Sequence, residues 1–223
     1  MKLLQRSIWL FCVVTATGAL AQERSSLPDP RSALGGAELV EALKSGGYTL
    51  YFRHGATNHA QRDSANVDMG DCSTQRNLSD AGRSDARAIG EAMRALGLSI
   101  DEVLASPYCR TLETARLMTG RATVSRAVLG MMTATGGTDY SQLDAILATA
   151  PAPGKVRVIA SHGNPLHALA GDPELAEGEV AVVKSDAKGW KIVARLPAAQ
   201  WAALSRGVSP ADAGSAPKRS GPN

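Results

Sequence analysis

The chain has 223 residues, of which 44% are hydrophobic and 20% charged, enough for one globular domain with a sizeable core. Lys and Arg exceed Asp and Glu by 24 to 21, a formal charge of +3 with no basic tract, which argues against nucleic acid as a partner.

Met1 to Arg6 is short and basic, Ser7 to Thr17 is apolar, and Ala19-Leu20-Ala21 supplies a small-x-small cleavage pattern, so residues 1–21 read as a signal peptide. The apolar run is too short to span a bilayer comfortably and polar sequence follows at once, so no stable membrane insertion is expected after cleavage. Cys12 lies inside the run rather than at the cleavage point, which argues against a lipidated amino terminus. Loss of Lys2 and Arg6 lowers the formal charge from +3 to +1. The exported chain keeps Cys72 and Cys109, and an even pair in an oxidising compartment points to a disulfide, two free buried thiols being the alternative. The Ala, Arg and Gly content fits a GC-rich bacterial genome and hence the periplasm.

Residues 22–34, with Pro28 and Pro30, read as an extended lead-in to a domain over residues 35–206. Ala37 to Ser45 puts Leu39, Val40 and Leu43 on one face and stops at Gly46-Gly47, the pattern of a helix with a glycine exit. Tyr48 to Arg53 is a buried strand that runs out into Arg53-His54-Gly55, followed by a long polar loop from Ala56 to Asn77. Ser79 is a helix N-cap with Asp80 in the first turn, and Ala86, Ile89, Met93 and Leu96 form the buried stripe that follows. Glu102 to Ala105 reads as a short strand broken by Ser106-Pro107, and Cys109 to Met118 as a helix, so Arg110 stands at a strand-to-helix junction.

Ala122 to Gly137 gives a weak strand and loop signal, and Tyr140 to Ala148 a helix. Val156 to Ser161 is a second buried strand ending in His162-Gly163-Asn164, and Pro165 to Ala170 starts a helix. Glu179–Lys184 and Trp190–Leu196 flank a turn and predict a hairpin, and Pro197 opens a last short helix. Residues 207–223, rich in Ser, Pro, Ala and Gly, predict a disordered tail. Strands alternating with helices predict an α/β single-domain three-layer sandwich with a largely parallel central sheet.

In such sheets, ligands bind at the carboxyl edge. Arg53-His54-Gly55, the Arg110 junction and His162-Gly163 all end strands, so parallel neighbours would gather two guanidiniums and two imidazoles around one pocket. Concentrating that charge in a near-neutral chain costs energy unless an anion or carboxylate compensates, so the pocket suits a dianion.

These residues carry a family resemblance. Arg53-His54-Gly55, Leu78-Ser79-x-x-Gly82-Arg83, Ser106-Pro107-x-x-Arg110-x-x-x-Thr114-Ala115 and His162-Gly163, in this order, resemble the histidine phosphatase superfamily, whose fold is called phosphoglycerate mutase-like. The resemblance implies that His54 is a nucleophile forming a phosphohistidine intermediate, that Arg53 and Arg110 grip the phosphoryl oxygens, and that His162 stabilises their charge. It implies a phosphoric monoester hydrolase with no cofactor and no metal, since two Arg and a His neutralise charge unaided. The substrate implied is a phosphorylated small molecule or envelope glycan, as a phosphomonoester or phosphoramidate, and the oligomeric state is left open.

The chain also departs from the family. Members commonly carry a carboxylate that protonates the leaving oxygen, yet Met131 to Gly137 has none, and Asp139 is the nearest candidate donor. In the acid-phosphatase branch an Asp follows the second His directly, where this chain has Gly163. Glu113, one turn from Arg110, is expected to be its structural partner. Gly55, Thr57, Asn58, Arg76 and Asn164 are candidate substrate contacts, with loop or capping roles equally open, and His59 and His167 suit surface or supporting roles. Two other readings stand beside this one: the missing carboxylate motivates a non-catalytic phosphate- or phosphosugar-binding protein on the same fold, and Asp63, Asp68 and Asp71 in the long loop offer a metal-dependent phosphoesterase.

Overall fold

The computed structural model describes residues 35–133, 135–171 and 174–206, without the side chain of Met131. The expected signal peptide 1–21, lead-in 22–34 and tail 207–223 lie outside the described residues.

In chain order the elements are α1 (Gly36–Ser45), β1 (Tyr48–Arg53), α2 (Asp80–Ala95), β2 (Ile100–Ala105), α3 (Cys109–Thr119), β3 (Thr123–Val124), β4 (Met131–Met132), β5 (Thr138–Asp139), α4 (Ser141–Ala148), β6 (Val156–Ser161), α5 (Gly163–Ala170), β7 (Val180–Asp186), β8 (Gly189–Leu196) and α6 (Trp201–Ser205). Among the described residues the main sheet has six strands in the order β3-β2-β6-β1-β7-β8. The first four run parallel, and the β7–β8 hairpin closes the far edge antiparallel.

Alternation along the strands sorts side chains into two cores. Leu50 and Phe52 of β1 pack with α1, α2, α3 and α6, where Trp201 stacks on Phe52 with centroids 5.9 Å apart. Tyr51 faces the opposite layer with Leu143 and Leu147 of α4 and Leu166 of α5. This is the three-layer sandwich expected from the sequence.

β6 lies between β1 and β2, with Arg53 paired to Ser161 in the parallel register and Ala105 to Ala160. All three strands therefore reach the same rim together. The backbone continues the convergence: His54 N–H donates to Ser161 O at 2.9 Å, Ser106 N–H to Ala160 O at 3.1 Å, and Gly178 N–H to His54 O at 2.8 Å.

The long loop after β1 is tied down rather than loose. Cys72 and Cys109 form a disulfide with Cα atoms 5.7 Å apart, so the loop is stapled to the first residue of α3. Closing 37 positions of chain contributes about 4 kcal/mol in the chain-entropy model. Beside the staple, Cys109 N–H donates to Gln75 Oε1 at 2.8 Å, and Asn77 Nδ2 to Cys72 O at 2.7 Å.

Candidate active site

The motif residues build the site one dependence at a time. Ser79 caps α2 by accepting from Gly82 N–H at 3.1 Å and donates to Ala56 O at 3.1 Å, so one hydroxyl joins the helix start to the loop after β1. Gly82 is required there, because a Cβ at this position would stand 2.1 Å from Ala56 O. Thr114, one turn beyond Arg110, donates to Arg110 O at 2.7 Å and accepts from Gly55 N–H at 3.0 Å. The spacing from Arg110 to Thr114 thus locks the head of α3 onto the residue that follows His54.

His54 and His162 meet edge to face with ring centroids 5.5 Å apart, and both are buried. Tyr108 packs against His162 at 5.0 Å and carries the Arg110 guanidinium over its ring at 4.3 Å. His162 Nε2 bonds to Ser106 Oγ at 2.9 Å, and the His162 carbonyl accepts from the Tyr51 hydroxyl at 2.8 Å. The four side chains His54, Arg53, Arg110 and His162 share one rim, and the charge of each arginine acts on both imidazoles.

His54 Nδ1 lies 3.0 Å from Gly55 O. A carbonyl only accepts, so the proton sits on Nδ1 and Nε2 keeps its lone pair. Burial lowers the His54 pKa to about 4, Arg110 and Arg53 push the same way, and Gly55 O and Glu177 oppose them. His162 is also driven well below the ordinary histidine value, first by burial and then by Arg110.

The two arginines are held alike. Arg53 Nη1 donates to Glu174 Oε1 at 3.0 Å and Leu175 O at 2.7 Å, and Arg110 Nη1 to Asp63 Oδ1 at 3.0 Å and Arg76 O at 3.3 Å. In both, the Nε donor is buried and has no hydrogen-bond partner among the described residues. A buried unpaired donor is costly, and a phosphoryl oxygen is the acceptor that suits it.

The remaining sequence candidates divide. Thr57 gives both its N–H and its hydroxyl to Glu177, at 3.0 and 2.8 Å. Arg76 also faces Glu177, at 3.8 Å, and its N–H donates to Asp63 at 2.8 Å. Asn58 Oδ1 closes a turn by accepting from Ala60 N–H at 3.0 Å, and Asn164 Nδ2 donates to the Tyr140 hydroxyl at 3.3 Å. Glu113 does not partner Arg110; it pairs with Arg83 at 2.7 Å across α2 and α3, and Asp63 takes the expected place.

Asp139 is likewise engaged elsewhere. Its carboxylate accepts from Ser141 N–H at 2.8 Å and Ser141 Oγ at 3.0 Å at the start of α4, and these bonds lower its pKa, the wrong direction for an acid. Asp68 and Asp71 accept from Gly70 N–H and Ser73 N–H in separate turns while Asp63 holds Arg110, so the three aspartates do not form one cluster. A cavity of about 890 Å³ between the long loop and α2–α3, lined in part by Asn58, Gln61, Cys72, Cys109 and Arg116, lies beside the cluster without including its four side chains.

Two residues central to the rim, Glu174 and Glu177, escape the sequence reading. They stand in the connection between α5 and β7, a stretch with no periodicity and no motif. The available signal was its three glutamates, Glu174, Glu177 and Glu179, which follow the His162 strand in a chain whose gathered arginines need compensation. Glu179 takes a structural role, paired with Arg195 at 2.7 Å.

Residues 50–128 match the model of the histidine phosphatase superfamily, branch 1. Over these residues, about a third of the chain, the sequence is similar to that superfamily. The superfamily match contains Arg53, His54 and Arg110 and ends before His162, Glu174 and Glu177. A relative, the mitochondrial serine/threonine-protein phosphatase Pgam5 of Drosophila virilis, is 27% identical over 107 residues, which cover 48% of this chain and 34% of that protein. The chain thus spans about a third of the length of the curated relative it matches. Among solved structures, the protein histidine phosphatase SixA complexed with tungstate is 18% identical with a TM-score of 0.47, over 68% of this chain and 97% of that one. The alpha-ribazole phosphatase from Shigella flexneri is 15% identical with a TM-score of 0.47, over 65% of this chain and 94% of that one.

Proposed function

We propose that this chain is a member of the histidine phosphatase superfamily and hydrolyses a phosphomonoester or phosphoramidate through a phosphohistidine on His54. One observation carries the proposal: a neutral imidazole with its proton fixed on Nδ1 stands beside two guanidiniums whose buried Nε donors are unspent. Phosphoryl transfer needs positioning and charge neutralisation more than covalent machinery. His54 Nε2 attacks phosphorus while Arg53, Arg110 and His162 take up the oxygens' charge. Water then attacks phospho-His54, releases phosphate and restores the imidazole.

The substrate is a phosphorylated small molecule or envelope glycan. The amino-terminal pattern of residues 1–21 supports export to the periplasm, and the residues assigned above supply the charge without a metal. The reading as a binding protein without turnover drew on the lack of a carboxylate near the site, and Glu174 and Glu177 remove that motive.

The test is acid-quench trapping with a ³²P-labelled substrate in EDTA. The wild-type chain should form an acid-labile phosphoenzyme, and His54→Ala should lose it together with at least about 10³-fold of turnover. Turnover that survives the substitution overturns the mechanism.

A further inference from the structure

An ester oxygen leaving phosphorus needs a proton unless it is already a stable anion. In-line transfer fixes where the proton must come from, because the leaving oxygen lies opposite the attacking Nε2 with phosphorus between them. His54 is 2% exposed at the floor of the site, so the leaving group faces outward.

Three carboxylates approach the rim, and they differ in place. Asp63 has one oxygen bound by both Arg110 and the Arg76 N–H, on the side of α3 and the long loop. Glu177 lies deep, its side chain 13% exposed, fastened by two bonds to Thr57 and close enough for its charge to act on His54. That is the nucleophile's flank. Glu174 stands at the mouth, its side chain 44% exposed, with Oε1 3.0 Å from Arg53 Nη1. A Cβ on Gly163 would fall 1.9 Å from Glu174 Oε1 and 2.6 Å from its Cδ. The carboxylate therefore occupies the space over the residue that follows His162, and the missing side chain of Gly163 makes room for it.

Resting on the phospho-His54 reading, we propose that Glu174, delivered by the α5–β7 connection to the mouth between Arg53 and Gly163, is the general acid for the leaving oxygen. In the first step the Nε2–P bond forms as the P–O bond breaks, and the Glu174 carboxyl proton passes to the departing oxygen, releasing an alcohol. In the second, a water oxygen bonds to phosphorus as the Nε2–P bond breaks. The water's proton returns to the Glu174 carboxylate. The sum is ester plus water to alcohol plus phosphate, with no other reactant.

The dependence on leaving group tests this assignment. Turnover of p-nitrophenyl phosphate, whose leaving group needs no proton, is compared with that of glycerol 3-phosphate and a panel of alkyl phosphates. Glu174→Gln should lower alkyl phosphate turnover by about 10³-fold and p-nitrophenyl phosphate turnover by about tenfold or less, widening the ratio at least about 100-fold. Gly163→Ala, which keeps the carboxylate but evicts it from its place, should widen the ratio in the same direction. Equal losses on both substrates overturn the proposal, since Glu174 then acts only through Arg53, and so does an unchanged ratio in both variants. Wild-type chain that turns over p-nitrophenyl phosphate but no alkyl phosphate overturns the acid alone. Wild-type chain that forms no acid-labile phosphoenzyme with any of these substrates or with a phosphoramidate overturns the phospho-His54 reading beneath it.

Discussion

Burial holds the His54 imidazole neutral, with its pKa lowered to about 4 from 6.5, and Arg110 and Arg53 add to the effect. The folded value lies below the unfolded one, so between pH 6.5 and about 4 the unfolded chain binds more proton at this position. Stability from this group is therefore complete above about pH 6.5, falls as pH drops through the window, and levels off below about 4. The difference of about 2.5 pH units corresponds to about 3 kcal/mol for a side chain that is 2% exposed. Unfolding free energies from urea titrations at pH 7 and pH 4 should fall by about 3 kcal/mol more in the wild type than in His54→Gln. Equal falls would move the acid sensitivity elsewhere, with His162, whose value is shifted the same way, the first place to look.

At the scale of elements, the site depends on how closely α2 can approach the loop after β1. A Cβ on Gly82 would meet Ala56 O at 2.1 Å, and backbone on both sides cannot yield cheaply. Gly90, two turns further along the same helix, is equally crowded, at 2.3 Å from Met118 O of α3, but lies away from the rim. Gly82→Ala and Gly90→Ala should each cost about 2–3 kcal/mol in urea denaturation. Gly82→Ala alone should also lower kcat/KM, because Ala56 and Gly55 carry His54 with them. Equal kcat/KM in the two variants would separate the helix approach from the chemistry. Elements of this kind were legible in the sequence. The apolar runs of β1 and β6, the Ser79 cap and the α2 stripe each follow from local periodicity, and the expected strand and helix ends fall within a few residues of those found. Partners that depend on which loops meet were not legible. Glu113 is one turn from Arg110 in sequence, yet the packing of α3 on α2 turns it to Arg83, while Asp63 crosses 47 positions of chain to reach Arg110. Asp139 was nearest by count, but at the end of β5 its carboxylate is engaged by Ser141 at the start of α4.

Across the whole molecule, two connections close on the rim from opposite sides of β1. The stapled loop brings Asp63 and Arg76, and the α5–β7 connection brings Glu174 and Glu177. Together they give each site arginine a carboxylate: Arg53 has Glu174 at 3.0 Å, Arg110 has Asp63 at 3.0 Å, and Arg76 has Glu177 at 3.8 Å. The compensation that a near-neutral chain needs is thus built in before any anion arrives, at the expense of affinity for that anion. A carboxylate near a bound dianion repels it by on the order of 1 kcal/mol or more at protein-like screening. Asp63→Asn keeps an oxygen that can accept from Arg110 and from the Arg76 N–H, and removes only the charge. Inorganic phosphate, titrated calorimetrically at low salt, should therefore bind the variant about tenfold more tightly, with the gain shrinking as salt is added. Weaker binding would mean that Asp63 serves the site by aiming Arg110 rather than by balancing its charge, and the paired-charge account of the rim would fall with it.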